Sequence, residues 1–445
     1  MQKIKTIYIP IGVPTFHLES ARRAFDRTVT LLKAIDPDIL CPEDMLLSLD
    51  SLTAFLEDKN PDLAIVQNVT FANGAYISQV LRETGCPVLL WSLREPDAGG
   101  GRLCLNSLTG AFSAANTMAA MGRTFDYLLA NPEEPVAERK IRTMIAAASL
   151  KKSVAHLNIL QVGHTPEGFG FGRALDGEMQ KVFGARLLSI EARELIHRAQ
   201  TFSENEVEPY IERAKASING LDQIERKNVV DFARLFKAYD EYTRENQIGA
   251  LSSRCWPDFF TAFGTPVCAV LGLLNDLGIP AACEADTYGA LSMYLATQLT
   301  GKAAFFGDPV SINEQKNTVT FWHCGMAPCS LARTDTGACA GLHCNRKIGP
   351  TLEFGCKAEK QVTILRVGKK PDGGFRLFIA KGEAPDKPKQ YFGTSIVVQT
   401  ENPVGALIDR AVKDGWEPHF AVAMGDIEEE LEIFARLLHI EADKF

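Results

Sequence analysis

The sequence predicts an α/β protein: two Rossmann-like domains with parallel sheets, followed by a β-rich C-terminal domain. Three observations carry this. Over roughly the first 150 residues, short apolar runs alternate with helical patterns, as βαβ units do. A second such alternation starts near Arg142. Beyond Gln361 the pattern changes to strand-like runs separated by turns such as Lys370-Pro371-Asp372-Gly373-Gly374, which suits an antiparallel sheet. The expected domains therefore span residues 1–140, 141–300 and 301–445.

Taken in order, Ile7-Tyr8-Ile9-Pro10 reads as the first strand. Glu19 to Lys33 has helical spacing, with Ala21, Phe25, Val29 and Leu32 on one face. Leu63-Ala64-Ile65-Val66 and Pro87-Val88-Leu89-Leu90-Trp91 read as later strands, with a helix from Ala75 to Arg82 between them. Asn131-Pro132-Glu133-Glu134-Pro135 reads as a domain break. In the second unit, the strand His156 to Gly163 runs into Gly168-Phe169-Gly170-Phe171-Gly172, and then into a helix from Ala174 to Phe183. Such a turn can cradle a phosphate. The glycine spacing matches neither dinucleotide fingerprint nor P-loop, so a plain turn is the other reading. Helices follow at about Asn205 to Ile218, Lys227 to Gln247 and Pro266 to Leu277, the last leading to a strand that ends at Glu284. The last third holds the strands Gln361 to Val367, Phe375 to Ala380 and Thr394 to Gln399. An amphipathic helix from Ile427 to Leu438 then packs back on the body.

Composition narrows the function classes. A chain of 445 residues, 46% hydrophobic and 23% charged, suits a soluble globular protein of two or three domains. Its net charge of −8, with no basic stripe, argues against a nucleic-acid partner. No apolar run approaches the ~20 residues of a membrane span. The opening Met1 to Pro10 lacks the apolar core of a signal peptide, so a cytoplasmic location is expected. The 11 cysteines, an odd number, suit free thiols. Cys324, Cys329, Cys339, Cys344 and Cys356 crowd together, interleaved with His323 and His343. Their C-x4-C spacing is not the C-x2-C of structural zinc sites, so small-residue packing is preferred over a zinc or iron–sulfur site.

The chemistry concentrates between Cys283 and Pro328. Glu284 and Asp308 each follow an apolar run, and a lone buried carboxylate is costly unless paired or bound to a cation. Two such acids suggest a divalent ion or a pair of proton-moving groups. Plainer readings stand beside this. Glu284 suits a helix N-terminus, Asp308 before Pro309 suits a turn, and His419 after Pro418 suits a satisfied core histidine.

Cys283-Glu284-Ala285-Asp286, Leu299-Thr300-Gly301-Lys302-Ala303 leading to Phe306-Gly307-Asp308, and Trp322-His323-Cys324-Gly325 together resemble the L-fucose isomerase family, a relative of the L-arabinose isomerases. Trp416-Glu417-Pro418-His419-Phe420-Ala421 and Met424-Gly425-Asp426 resemble its late histidine motif. Trp91-Ser92-Leu93-Arg94-Glu95-Pro96 is similar to an N-terminal segment of the family. Leu251 to Trp256 keeps Arg254 and Trp256 where the family lines its sugar, without the glutamine-rich lead of the fucose enzyme, so the sugar stays open.

The resemblance implies an aldose–ketose isomerase acting on a monosaccharide or modified sugar through an ene-diol. It implies Mn2+, with Mg2+ as the alternative, held by Glu284, Asp308 and His419, the two acids doubling as acid/base groups. Carboxylates plus an imidazole suit a hard, open site of that kind. Trp91, Arg254, Trp256 and His323 are then expected around the sugar. Active sites between the subunits of a homo-oligomer would let Trp91 act in trans. Two other readings are an epimerase or lyase with the same metal site, and a non-catalytic sugar-binding protein.

Overall fold

The computed structural model describes residues 1–97 and 99–445, which form two compact units. One comprises Met1–Ser153 with Glu432–His439, the other Val154–Leu431 with Ile440–Phe445. The expected fold class holds, with parallel α/β sheets preceding a large β-rich, barrel-like sheet.

In the first unit, strands Thr6–Ile11, Leu63–Asn68, Val88–Ser92 and Phe125–Leu129 pair in parallel in that order. The first three are buried throughout, as parallel strands covered on both faces must be. Tyr8, Ile65 and Leu89 face one apolar core, which helix Leu18–Ile35 covers with Ala21, Phe25 and Leu32. Ile7, Ile9 and Val66 face the other, covered by helix Gly74–Glu83 through Tyr76, Ile77 and Val80.

The expected break at Asn131 to Pro135 instead opens a helix of 21 residues, Pro135–Ala155. A proline in the first turn loses no hydrogen bond there and is pre-set for helical φ. Ile141, Met144 and Ala148 then join the first core, and so do Ile433 and Leu437 of the late helix Glu428–Leu437.

The second unit contains both the remaining parallel sheet and the large one. Arg186–Ile190, Asn158–Val162, Ala250–Ser253 and Ala281–Cys283 pair in parallel in that spatial order. The large sheet has ten strands, with Phe305–Asn313 between Phe420–Ala423 and Thr318–His323. The hairpin Glu359–Lys369 with Phe375–Ala384 turns over the predicted Lys370 to Gly374. Gly382 also pairs with Thr400 on Thr394–Thr400, which closes the sheet on itself. Helix Thr287–Thr300 packs on strands of both sheets. Every residue from Thr287 to Ala296 is therefore buried, and the helix is apolar all round rather than striped. This helix fixes the carboxylates before its N-terminus against the barrel.

Candidate active site

Strand Ala281–Cys283 is fully buried and ends in an abrupt turn. Glu284 and Ala285 both adopt left-handed backbone, φ 59° and 53°. Side-chain-bearing residues seldom do so, at a cost of about 1–3 kcal/mol each. The turn lets Asp286 cap the helix, its carboxylate accepting from the Gly289 N–H at 2.9 Å. Residue 289 must be glycine, because a Cβ there would stand 2.5 Å from the Phe306 ring and 2.8 Å from Asp286 Oδ2.

Asp286 is the anchor of the site. It accepts two bonds from Arg366, 2.5 Å from Nη1 and 3.0 Å from Nη2, and lies 2.9 Å from His419 Nδ1. Burial alone would raise its pKa, but the Arg366 guanidinium and His419 hold the carboxyl well below the usual range. An ionised Asp286 fixes the proton of His419 on Nδ1 and turns the Nε2 lone pair outward, the orientation seen in carboxylate–histidine–metal triads.

His419 Nε2 lies 3.0 Å from Glu284 Oε2 and 3.4 Å from Asp308 Oδ1. Burial disfavours its charge, yet the bonds to Asp286 and Glu284 lift its pKa to about 9. In the bare site a proton on Nε2 thus offsets the two acids, and a bound cation would take that place. Burial pushes Glu284 up, but the His419 hydrogen bond and the charges of His323 and His419 bring it below its ordinary value. At Asp308 burial wins over the two imidazoles, and its pKa is raised. Asp308 is aimed here by strand Phe305–Asn313, on which Gly307 pairs with Phe420 just after His419.

His323 ends strand Thr318–His323 and is buried, its Nε2 4.0 Å from Glu284 Oε2 and without a hydrogen-bond partner. Its Nδ1 lies 2.9 Å from the Cys324 backbone N and 3.3 Å from Cys324 Sγ. Burial disfavours a charged ring, yet Cys324, Glu284 and Asp308 raise its pKa to about 10, so Nε2 carries a proton. His323 is therefore a donor aimed into the site, whereas His419 would offer its Nε2 lone pair once a bound cation takes the place of the proton there. Ligand atoms of Glu284, His323 and His419 all lie within 4.8 Å of one another. At metal–ligand distances of ~2.1 Å, adjacent octahedral ligands stand about 3 Å apart, the separation of Glu284 Oε2 and His419 Nε2. The donor set fits a hard divalent ion.

Around this centre stands an aromatic wall. Trp256 Nε1 donates to Glu284 Oε1 at 3.2 Å. In the glycine-rich loop, the short 3-10 turn Gly170–Gly172 delivers two phenylalanines, Phe169 and Phe171. Phe169 meets Trp256 edge-on at 5.9 Å, and Phe171 meets the His419 ring edge-on at 5.1 Å. Phe306 stands against His419 at 4.9 Å. The Arg346 guanidinium stacks over Trp256 and Phe260, 5.6 and 4.8 Å from their centroids, and no carboxylate among the described residues pairs with it.

Of the residues expected at the site, Glu284, Asp308, His419, His323 and Trp256 converge. Arg254 stands behind Trp256, bonded to the Trp256 carbonyl at 3.2 Å and paired with Asp258 at 3.0 Å, so it supports the loop. Trp91 corrects the expectation. It is fully buried in the first unit's core, with Nε1 donating to the Ala130 carbonyl at 2.8 Å, and has no face to offer a sugar. Sequence reasoning missed Arg366, Phe169, Phe171, Arg346 and the anchoring role of Asp286. One signal was available: an arginine inside the apolar run Val362 to Val367 must find a buried partner.

Two carboxylates and two imidazoles thus converge where the carboxyl edge of a parallel sheet meets the barrel, and likeness to known proteins gives the class as an isomerase. The family description "L-fucose isomerase, C-terminal domain" matches residues 336–445, the part that carries Arg366 and His419. A sulfoquinovose isomerase of Clostridium sp. (strain MSTE9) is 54% identical over 446 residues, covering 100% of both chains. Sulfoquinovose isomerases of Alkalicoccus urumqiensis and Priestia aryabhattai are each 36% identical, covering 98% and 99% of both chains respectively. The chain belongs to this fucose isomerase-like family. Among the described residues, no helix is long and apolar enough to cross a membrane.

Proposed function

We propose that the chain interconverts the aldose and ketose forms of sulfoquinovose, a sulfonated sugar, at the Glu284–Asp308–His419 centre. The observation that carries the chemistry is the convergence of both carboxylates on His419 Nε2, at 3.0 and 3.4 Å. The substrate rests on the full-length relative at 54% identity.

Glu284, Asp308 and His419 would hold Mn2+ or Mg2+. The ion, when bound, polarises the substrate carbonyl and orients the oxygens on the first two carbons. One carboxylate takes the proton from the second carbon, and its neighbour returns a proton to the first, through an ene-diol. His323 Nε2–H is aimed to donate to a sugar oxygen. Trp256 fixes the rotamer of Glu284, while Phe169, Phe171 and Phe306 keep water from the reacting carbons. Arg346, over the Trp256 and Phe260 rings, is the group that meets the sulfonate, since a guanidinium pairs with two oxygens of an anion at once.

A second copy of the chain covers the site's mouth in this reading. Its support is the exposed Val310, Tyr391 and Phe392, which line a groove of about 710 Å³ with Trp322 and reach Asn345 beside Arg346. Eleven free cysteines fit a reducing compartment such as the cytoplasm.

The test is NMR of sulfoquinovose with chelator-stripped protein, before and after Mn2+ is restored. Ketose should form only with the ion, and Arg346→Gln should raise KM about 10- to 100-fold with kcat little changed. Failure of sulfoquinovose to isomerise under any divalent ion sinks the proposal. Exchange of the proton on the second carbon without ketose would mean an epimerase instead. A monomer by sedimentation would remove the second copy from it.

A further inference from the structure

Among the described residues, one cluster of side chains able to hold a metal lies outside the centre described above. Cys268, Cys324 and His343 bring two sulfurs and a ring nitrogen within 4.8 Å of one another. They come from three places: the first residue of helix Cys268–Asp276, the turn after strand Thr318–His323, and the segment after strand Ala338–Gly341. For the crowded cysteines the sequence favoured small-residue packing over a metal site. Cys324 and His343 belong to that run, but the partner is Cys268, 56 positions earlier. Cys329, Cys339, Cys344 and Cys356 stay outside the cluster.

The geometry points to a second, soft metal site: Zn2+ held by Cys268, Cys324 and His343. Two thiolates on one tetrahedral zinc stand about 3.8 Å apart when each Zn–S distance is ~2.3 Å. The Cys268 and Cys324 sulfurs are 3.9 Å apart. His343 is buried, and its Nδ1 receives only long contacts from the Asn345 and Arg346 N–H groups, 3.3 and 3.4 Å, so a metal displaces little to reach the ring. Binding sends two thiol protons to solvent as the thiolates form. A further thiol, Cys255, lies beside Cys268. Thiolate and imidazole suit zinc, whereas the carboxylate-rich centre suits a harder ion, so the two sites sort metals by donor type. The zinc would also fasten the residue next to His323, whose Nδ1 is 3.3 Å from Cys324 Sγ.

The test uses full-length protein stripped of metal, given saturating Mn2+ to fill the carboxylate–imidazole centre, and then titrated with Co2+. One equivalent should produce the near-ultraviolet thiolate-to-cobalt band and intense tetrahedral visible bands, which added Zn2+ erases. Cys268→Ser and Cys324→Ser should each abolish the band, His343→Gln should weaken it, and Cys329→Ser should leave it intact. Absence of the band in the wild-type protein, or its survival in Cys268→Ser, overturns the site. Zinc-edge X-ray absorption on the wild-type protein is independent of any variant's folding. Two or three sulfur neighbours support the site; a shell of oxygen and nitrogen alone removes it.

Discussion

The two parallel sheets share one architecture and differ in the groups that stand at their strand ends. In the N-terminal sheet, two strands end at neutral polar residues, Asn68 and Ser92, and the buried Asn68 side-chain amide has no hydrogen-bond partner among the described residues. Ser92 meets the Tyr127 hydroxyl at 2.5 Å, and the Asn68 carbonyl accepts from the buried Ser107 side chain. In the second sheet, strand Ala281–Cys283 ends at an acid on left-handed backbone, and strand Ala250–Ser253 runs on to Trp256, which grips that acid. Ligands favour the carboxyl edge of such sheets, but the edge only offers a place. The chemistry arises where a barrel supplies the answering groups: Asp308, Arg366 and His419 all come from it. The strands of the first sheet end instead at Ile11, Asn68, Ser92 and Leu129, none of them ionisable.

The largest effect expected of this contrast lies at Glu284. Glu284→Gln should cut kcat by about 10³-fold or more with an unchanged circular-dichroism spectrum, since it removes a ligand and a proton carrier together. More than a tenth of wild-type activity would show that the second sheet's edge is not the centre. Asp286→Asn comes next. It leaves Arg366 buried without its counter-charge, so thermal unfolding should reveal a loss of about 3–5 kcal/mol. Metal titration should show affinity down about 10- to 100-fold, because His419 loses its orienting carboxylate. Trp256→Phe should be milder, about tenfold in kcat, with stability near wild type, as one hydrogen bond to a charged group is lost. Smallest of all on activity is Trp91→Phe. It should cost about 1 kcal/mol of stability through the lost bond to Ala130 and leave kcat/KM unchanged. A large rise in KM there would return Trp91 to the sugar and break the contrast.

Much of the fold was legible because its signals are local. Leu18–Ile35 and Gly74–Glu83 match helices expected from apolar spacing, within a residue or two at each end. The helix Pro135–Ala155 was lost because two prolines and an asparagine read as a break, although a proline can open a helix as readily as end a segment. Glu284 and Asp308 stood out because an acid closing an apolar run is conspicuous. Arg366 and Asp286 did not, since their pairing spans 80 positions and no local pattern encodes it. Trp91 was misplaced for a related reason: a tryptophan's neighbours in sequence do not reveal which side of a sheet its ring occupies.

The left-handed pair Glu284 and Ala285 has a consequence for how this protein tolerates change. At Ala285 a glycine would accept the same backbone at no steric cost, so Ala285→Gly should stabilise the fold by about 1 kcal/mol, seen as a slightly higher melting temperature. At Glu284 the same relief is open only by surrendering the carboxylate. Selection for thermal robustness and selection for turnover therefore pull in opposite directions at adjacent positions, and libraries screened for heat resistance alone should drift toward glycine at both.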